Sequence, residues 1–180
     1  MKRCMDCGNE YSGESWDCQK CGYAPNELNG FMSFAPELSE SVEHYDAERY
    51  QAVAAIERSH FWFRGRNALI AWALKKNFPD ARSLLEVGCG TGQVLDNLHS
   101  AAPGLRLVGT EINVTGLEFC RQRLPEAEFL QMDARAIPFT DEFDVVCAFD
   151  VIEHVEKDDQ VLAQMHQACR DGGGILITVP

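Results

Sequence analysis

The sequence predicts an α/β fold, a doubly wound parallel sheet with a small metal-binding module ahead of it, and three observations carry that expectation. Between Ser83 and Glu111 a short apolar run breaks into glycines, resumes at helical spacing, and ends in a second apolar run closed by an acid. From Phe143 to Phe149 a near-continuous apolar run has the character of a strand buried on both faces of a parallel sheet. Near the amino terminus, four of the eight cysteines fall into two Cys-x-x-Cys pairs.

The paired cysteines come first along the chain. Cys4-x-x-Cys7 and Cys18-x-x-Cys21 are separated by ten residues, and Gly8 and Gly22 follow them, easing the tight turns that aim backbone N–H groups at sulfur. Four thiolates can surround a zinc ion as a tetrahedron and leave no position for water, so the ion would be structural. About 25 residues bury too little surface to fold unaided, and bound metal would supply most of the folding free energy of this zinc-ribbon-like module over residues 1–24. Residues 25–40 carry Pro25, Asn26, Asn29, Gly30 and Pro36 without a sustained period and read as a linker to a main domain over 41–180. Ser41 is placed to cap a helix running to about Ser59, with Val42, Tyr45, Val53 and Ile56 near one face. A second helix follows the cluster His60, Phe61, Trp62 and Phe63, runs past Arg64 and Arg66 through Leu69, Ile70, Ala73 and Leu74, and stops at Pro79. The aromatics either pack between the two helices or form a lid from which an arginine reaches a carboxylate.

Leu84, Leu85 and Val87 then predict a buried strand, Gly88, Gly90 and Gly92 a turn, Val94, Leu95 and Leu98 a helix, and Leu105, Leu107 and Val108 a second strand ending at Glu111. Such a unit presents a ligand site at the carboxyl end of a parallel sheet, where glycines admit close backbone approach and an acid can hold ribose hydroxyls. A dinucleotide fingerprint would place its third glycine at position 93, which is Gln93. Glu86, two residues before the first glycine, would also combine with Glu111 into a negative pocket that repels pyrophosphate. A nucleoside ligand without phosphates follows, and S-adenosylmethionine, with its sulfonium and ammonium groups, fits.

Further along, Leu117, Cys120 and Leu124 keep helical spacing up to Pro125, and Phe129 and Leu130 form a short strand reaching Asp133. The Phe143–Phe149 strand delivers Asp150, Glu153 and His154 at the same sheet edge as the glycines. With an unperturbed pKa of about 6.5, His154 could take a proton from an acceptor hydroxyl, or serve only as a cap or packing group. Val161, Leu162, Met165 and Cys169 predict a helix ending at Asp171, and Ile175 to Val179 a last strand.

With the phrases ERSHFWFRGRNALI, EVGCGTG, QMDARAIPF and FDVVCAFDVIEHVEK in place, the sequence resembles class I S-adenosylmethionine-dependent methyltransferases, in particular a bacterial small-molecule and quinone-pathway-like group. The resemblance covers about Phe31 to Pro180 and implies a Rossmann-like sheet of five strands in the order 3-2-1-4-5. It implies that Gly88, Gly90 and Gly92 meet the methionine part of the cofactor, Glu86 its ammonium network, Glu111 the ribose, and Asp133 and Ala134 the adenine. Cys89, Ile112 and Asp150 would complete the cofactor site, with His154 as the candidate catalytic base. Class I members usually continue with two further strands, whereas this sequence stops at Pro180, so an incomplete class I methyltransferase fold is expected, as a fragment or as a chain covered by another subunit. The apolar edge GILITVP would then invite self-association.

Composition narrows the partners. The net charge is −12 with no Lys/Arg-rich run, which argues against nucleic acid. The opening MKRCMDCGNE carries no apolar signal core and no run of roughly eighteen apolar residues occurs, so neither secretion nor membrane contact is expected and the protein reads as cytoplasmic. The unpaired Cys89, Cys120, Cys147 and Cys169 read as small buried hydrophobes. The function expected is methyl transfer to a small-molecule acceptor. The alternatives are a non-catalytic cofactor-binding or zinc-mediated interaction protein, a nicotinamide oxidoreductase opposed by Gln93 and Glu86, and a nucleic-acid methyltransferase opposed by the charge.

Overall fold

The computed structural model describes residues 1–39 and 47–180. The expected helix start at Ser41, with Val42 and Tyr45, lies outside the described residues. Strand β5 (Ser83–Val87) is the centre of the main sheet and pairs in parallel with β6 (Arg106–Glu111) on one side and β8 (Phe143–Phe149) on the other. Strand β7 (Glu128–Gln131) continues beyond β6, and β9 (Cys169–Thr178) lies beyond β8 as one edge of the sheet. These five strands reproduce the order 3-2-1-4-5.

Alternation along the strands sends neighbouring side chains to opposite faces and so divides the core into two layers. Leu84, Leu107, Val145, Cys147 and Phe149 face α2 (Phe61–Asn77), α3 (Gln93–Ala101) and α4 (Val114–Arg123) through Ile70, Leu74, Leu95, Leu98, Leu117 and Cys120. Leu85, Val87, Val108, Val146 and Ala148 face α5 (Asp158–Ala168) through Val161, Met165 and Ala168. The preceding helix, α1, is described over Ala47–Ile56. His60 caps α2, its side chain accepting the Trp62 N–H, and the helix ends before Pro79 as expected.

Two expectations are corrected. The segment read as a linker carries a hairpin, β3 (Asn26–Leu28) and β4 (Phe31–Ser33), and β4 adds to the sheet in parallel beside β7. Asn29 and Gly30 both have positive φ, 52° and 79°, the conformation an Asn-Gly hairpin turn requires. Gln131 fastens this edge: its carbonyl Oε1 accepts from Ser33 Oγ at 2.7 Å and from the Ala35 N–H at 3.1 Å, while its Nε2 donates to the Ala35 carbonyl at 2.7 Å. The second correction concerns the last helix, which ends at Ala168 rather than Asp171, because the glycine run is part of β9. A register shift between Phe143 and Val145 absorbs it, and a Cβ on Gly173 would stand 2.8 Å from the Asp144 carbonyl oxygen.

The cysteine module is not a detached bead. Its strands β1 (Lys2–Arg3) and β2 (Glu10–Tyr11) form a short hairpin, and backbone bonds join Arg3 N–H to Pro138 O at 3.0 Å and Thr140 N–H to Met1 O at 2.9 Å. Trp16 enters the second core layer, edge-on to Phe34 at 4.8 Å and Phe139 at 5.4 Å between ring centroids. The module therefore covers part of the sheet face that α5 leaves open.

Candidate functional site

Strand β5 ends in the glycine loop, where Gly88, Gly90 and Gly92 have φ of 72°, 56° and 75°. The N–H groups of Gly88 and Cys89 both donate to the Thr110 carbonyl, at 2.8 and 2.9 Å, which bends the loop over the end of β6. Glu111 holds it there. Its Oε2 accepts the Gly90 N–H at 2.9 Å, and its Oε1 accepts those of Ile112 at 2.8 Å and Asn113 at 3.3 Å. Burial raises the Glu111 pKa, opposed by these same backbone donors. Helix α4 approaches so closely that a Cβ on Gly116 would lie 2.7 Å from the Gly90 carbonyl oxygen, a glycine requirement that sequence reading had not noticed. Cys89 and Cys120 meet beneath the loop with sulfurs 3.6 Å apart, both buried as small hydrophobes. Gln93, the residue that breaks the dinucleotide spacing, opens α3 and accepts a hydrogen bond from Asn67 of α2.

Around this loop lies a cavity of about 660 Å³, within the range of small-molecule sites. All but one of the sequence-predicted cofactor residues line it: Glu86, Gly88, Cys89, Gly90, Glu111, Ile112, Asp133, Ala134 and Asp150; the exception is Gly92, where an added Cβ would lie 3.0 Å from Cys120 Sγ of α4. His154, in a single 3-10 turn over Ile152–His154, is exposed at its rim. Three ion pairs that the sequence reading did not assign complete the walls. Asp150, itself at φ 58°, forms an ion pair with Arg66, whose Nε lies 3.1 Å from its Oδ2, so an arginine of the aromatic segment does reach a carboxylate. Asp133 is gripped by Arg135, whose Nε and Nη2 donate to its two oxygens at 2.7 to 3.0 Å, and the Arg135 N–H adds a further bond. Desolvation pushes the Asp133 pKa up, but the Arg135 contacts outweigh it and hold the group below the usual aspartate range. An adenine amino group would have to share Asp133 with Arg135. The third pair, Glu57 with Arg123, is buried behind Thr91.

Glu86 lies at the floor, 2% exposed, and its Oε2 has no hydrogen-bond partner among the described residues. Desolvation pushes its pKa up to about 8; Arg66 opposes that shift and Glu111 adds to it. At neutral pH the carboxyl therefore keeps its proton, and the pocket is less negative than the pairing of Glu86 with Glu111 had suggested. Between about 4.5 and 8 the folded chain holds a proton that the unfolded chain has released, so stability falls as pH rises through this window. Urea unfolding at a series of pH values is expected to show that decline in the wild type and a flatter profile in Glu86→Gln. Parallel profiles would remove Glu86 as the source.

At the far end of the molecule the sulfurs of Cys4, Cys7, Cys18 and Cys21 all lie within 4.8 Å of one another, with Cys4–Cys21 at 3.6 Å and Cys7–Cys18 at 3.7 Å. Tetrahedral zinc with bonds of about 2.3 Å places its sulfurs roughly 3.8 Å apart, so the donor set fits that ion. Gly8 and Gly22, at φ 69° and 77°, close the two turns by donating to the Cys4 and Cys18 carbonyls.

Comparison with known proteins identifies the main domain. Residues 85–177, more than half of the chain, match the family described as "Methyltransferase domain". The chain belongs to that family. A relative from Mycolicibacterium smegmatis, named "Probable S-adenosylmethionine-dependent methyltransferase", is 27% identical over 131 residues, 72% of this chain and 49% of that protein. A phosphatidylethanolamine N-methyltransferase from Cereibacter sphaeroides is 33% identical over 113 residues, 55% of this chain and 56% of that one. Among solved structures, an S-adenosylmethionine-bound amino pentose methyltransferase from Micromonospora echinaspora superposes with a TM-score of 0.63 at 25% identity, covering 76% of this chain and 57% of the other. The chain spans about half the length of the first of these curated relatives. The family's fold is the class I methyltransferase fold, and the glycine loop, β6 acid and β8 end described above occupy its sheet edge.

Proposed function

We propose that the protein is an S-adenosylmethionine-dependent methyltransferase that acts on a small-molecule acceptor in the cytoplasm, with one structural zinc in its amino-terminal module. The observation that carries the reading is the cavity at the glycine loop, where a buried, unpartnered carboxyl oxygen of Glu86 stands beside open backbone at Gly90. Relatives named for amino pentose and phosphatidylethanolamine methylation support a small acceptor. When bound, S-adenosylmethionine supplies a methyl group already activated on sulfonium. The chain's own contribution is alignment and exclusion of water. In this reading Glu86 meets the ammonium group, the backbone from Gly88 to Gly92 the methionine part, Glu111 and Ile112 the ribose, and Asp133 and Ala134 the adenine. Trp62, Phe63 and Arg66 form the wall on the α2 side, and His154, at the rim, would accept a proton from a hydroxyl or amine. Self-association through the outer edge of β9 also remains part of the proposal, to be read by sedimentation of the purified chain.

Calorimetry with S-adenosylmethionine, S-adenosylhomocysteine and NAD tests the cofactor assignment. The first two are expected to bind and NAD is not. Glu111→Ala removes a charged acceptor and the anchor of Gly90, and is expected to weaken binding by about 1.5–3 kcal/mol. Tight NAD binding, or an unchanged affinity in the variant, would overturn the assignment. Formation of S-adenosylhomocysteine over a panel of amines, hydroxy compounds and carboxylic acids then tests transfer. Tight cofactor binding without turnover on any of them would favour a cofactor-binding protein without catalysis.

A further inference from the structure

Helix α2 has two apolar faces. Its inner face carries Ile70 and Leu74 into the core, while Phe61, Trp62, Leu69 and Trp72 are 80%, 49%, 59% and 55% exposed. At 3.6 residues per turn these four fall on one arc of roughly 100° on the opposite side of the helix. Single exposed apolar residues are ordinary, but four large ones on one arc mark an interaction surface.

Charge says what kind. From Arg58 to Pro79 the sequence carries Arg58, Arg64, Arg66, Lys75 and Lys76 and no acid, in a chain of 28 acids and net charge −12. Arg58 pairs with Asp96 and Arg66 with Asp150, which leaves Arg64, Lys75 and Lys76 without an ion-pair partner among the described residues. The Lys76 ammonium lies over the Trp72 ring, 4.6 Å from its centroid, so a cation sits directly on the apolar face. We propose that this face of α2 docks on an anionic lipid bilayer, lying in the interface with Phe61, Trp62, Leu69 and Trp72 inserted and the basic residues among the headgroups. The helix is 17 residues long, and no helix among the described residues is long and apolar enough to cross a membrane, so it would lie on the surface rather than span it. A bilayer receives a convex aromatic ridge without needing a matching groove, and Trp is at home at its interface. A second copy pairing face to face would instead set Arg64, Lys75 and Lys76 against themselves. Because Trp62 belongs both to this face and to the cavity wall, the docked protein would hold its cavity beside the lipid. The inference does not depend on methyl transfer.

The sequence reading, which weighed only a spanning segment and a signal, expected no membrane contact. Co-sedimentation of the chain with vesicles of equimolar phosphatidylglycerol and phosphatidylcholine, against pure phosphatidylcholine, decides the matter. Binding to the anionic vesicles is expected, at least about tenfold weaker on the neutral ones and weakened by salt. Phe61→Ser with Trp72→Ser, and separately Lys75→Glu with Lys76→Glu, are each expected to lower it at least about tenfold. Circular dichroism melts check that the variants are folded, and the charge variant, confined to exposed lysines, carries the test if the aromatic variant does not fold. Equal binding by wild type and both variants would overturn the proposal. So would absence of binding to either vesicle, the outcome for an acidic protein partner, or a lipid-free dimer that the variants abolish, the outcome for a second copy.

Discussion

Protein purified without chelator is expected to carry one zinc per chain, and Cys18→Ser with Cys21→Ser is expected to lose it and to unfold residues 1–24. Apart from Trp16 and the backbone bonds of Met1 and Arg3 to the main domain, two short hairpin strands and a few turns hold that segment, so a bound metal would provide most of its stability, on the scale of about 10–16 kcal/mol for structural zinc peptides. The consequence does not stop at the module. Trp16, 8% exposed, is wedged against Phe34 and Phe139, and its departure would open the second core layer beneath the glycine-loop strands. Loss of a large aromatic from a core costs about 3–5 kcal/mol, so the main domain should unfold at a clearly lower urea concentration. Elemental analysis, tryptophan fluorescence and urea titration of the variant read the three effects. Metal retained at full stoichiometry would exclude these ligands. Metal lost with the domain midpoint unmoved would show that Trp16 contributes nothing to the sheet.

The contrast between what sequence revealed and what it hid has a physical pattern. Strand β8 was legible to its ends because a near-continuous apolar run fits all seven of its buried positions, and the glycine loop was legible because three glycines, all at positive φ, follow a buried strand. Both are local signals. The hairpin at residues 26–33 failed differently: Asn29-Gly30 is a strong turn signal, but its strands are three residues each and are anchored by pairing with β7 and by the Gln131 side chain, both far along the chain. The glycine run at 172–174 reads as a helix stop, yet α5 has already ended at Ala168 and tertiary pairing with β8 makes the run part of a strand. At the site the main predicted positions converge on one cavity, whereas their partners stayed hidden. Arg66 with Asp150 and Arg123 with Glu57 are pairings over long sequence distances that no periodicity encodes. Only Arg135, two residues from Asp133, was within reach of a local reading.

The Glu57–Arg123 pair leads to the other large effect expected. Glu57 Oε1 meets Arg123 Nη2 at 2.5 Å with side-chain exposures of 2% and 9%, and Glu57 Oε2 accepts from Thr91 Oγ1 at 2.7 Å. One carboxylate therefore links the chain just after α1, the last turn of α4 and the glycine loop. Arg123→Leu would strand that carboxylate in a site that excludes water, and breaking a buried pair from one side costs about 3–5 kcal/mol. Glu57→Leu combined with Arg123→Leu removes both charges at once, and because the intact pair already bears its desolvation cost, the double variant is expected to be more stable than Arg123→Leu alone. The glycine loop adds a second readout. Thr91 loses its acceptor only when Glu57 is replaced, so the double variant should bind S-adenosylmethionine more weakly than its stability alone implies, while Arg123→Leu, still folded in low urea, keeps the Thr91 bond. Urea midpoints for the two single variants and the double variant, with cofactor calorimetry on each, complete the cycle. A cost below about 1 kcal/mol for Arg123→Leu, or a double variant less stable than either single one, would show that solvent reaches Glu57 and that the pair does not bind these three elements together.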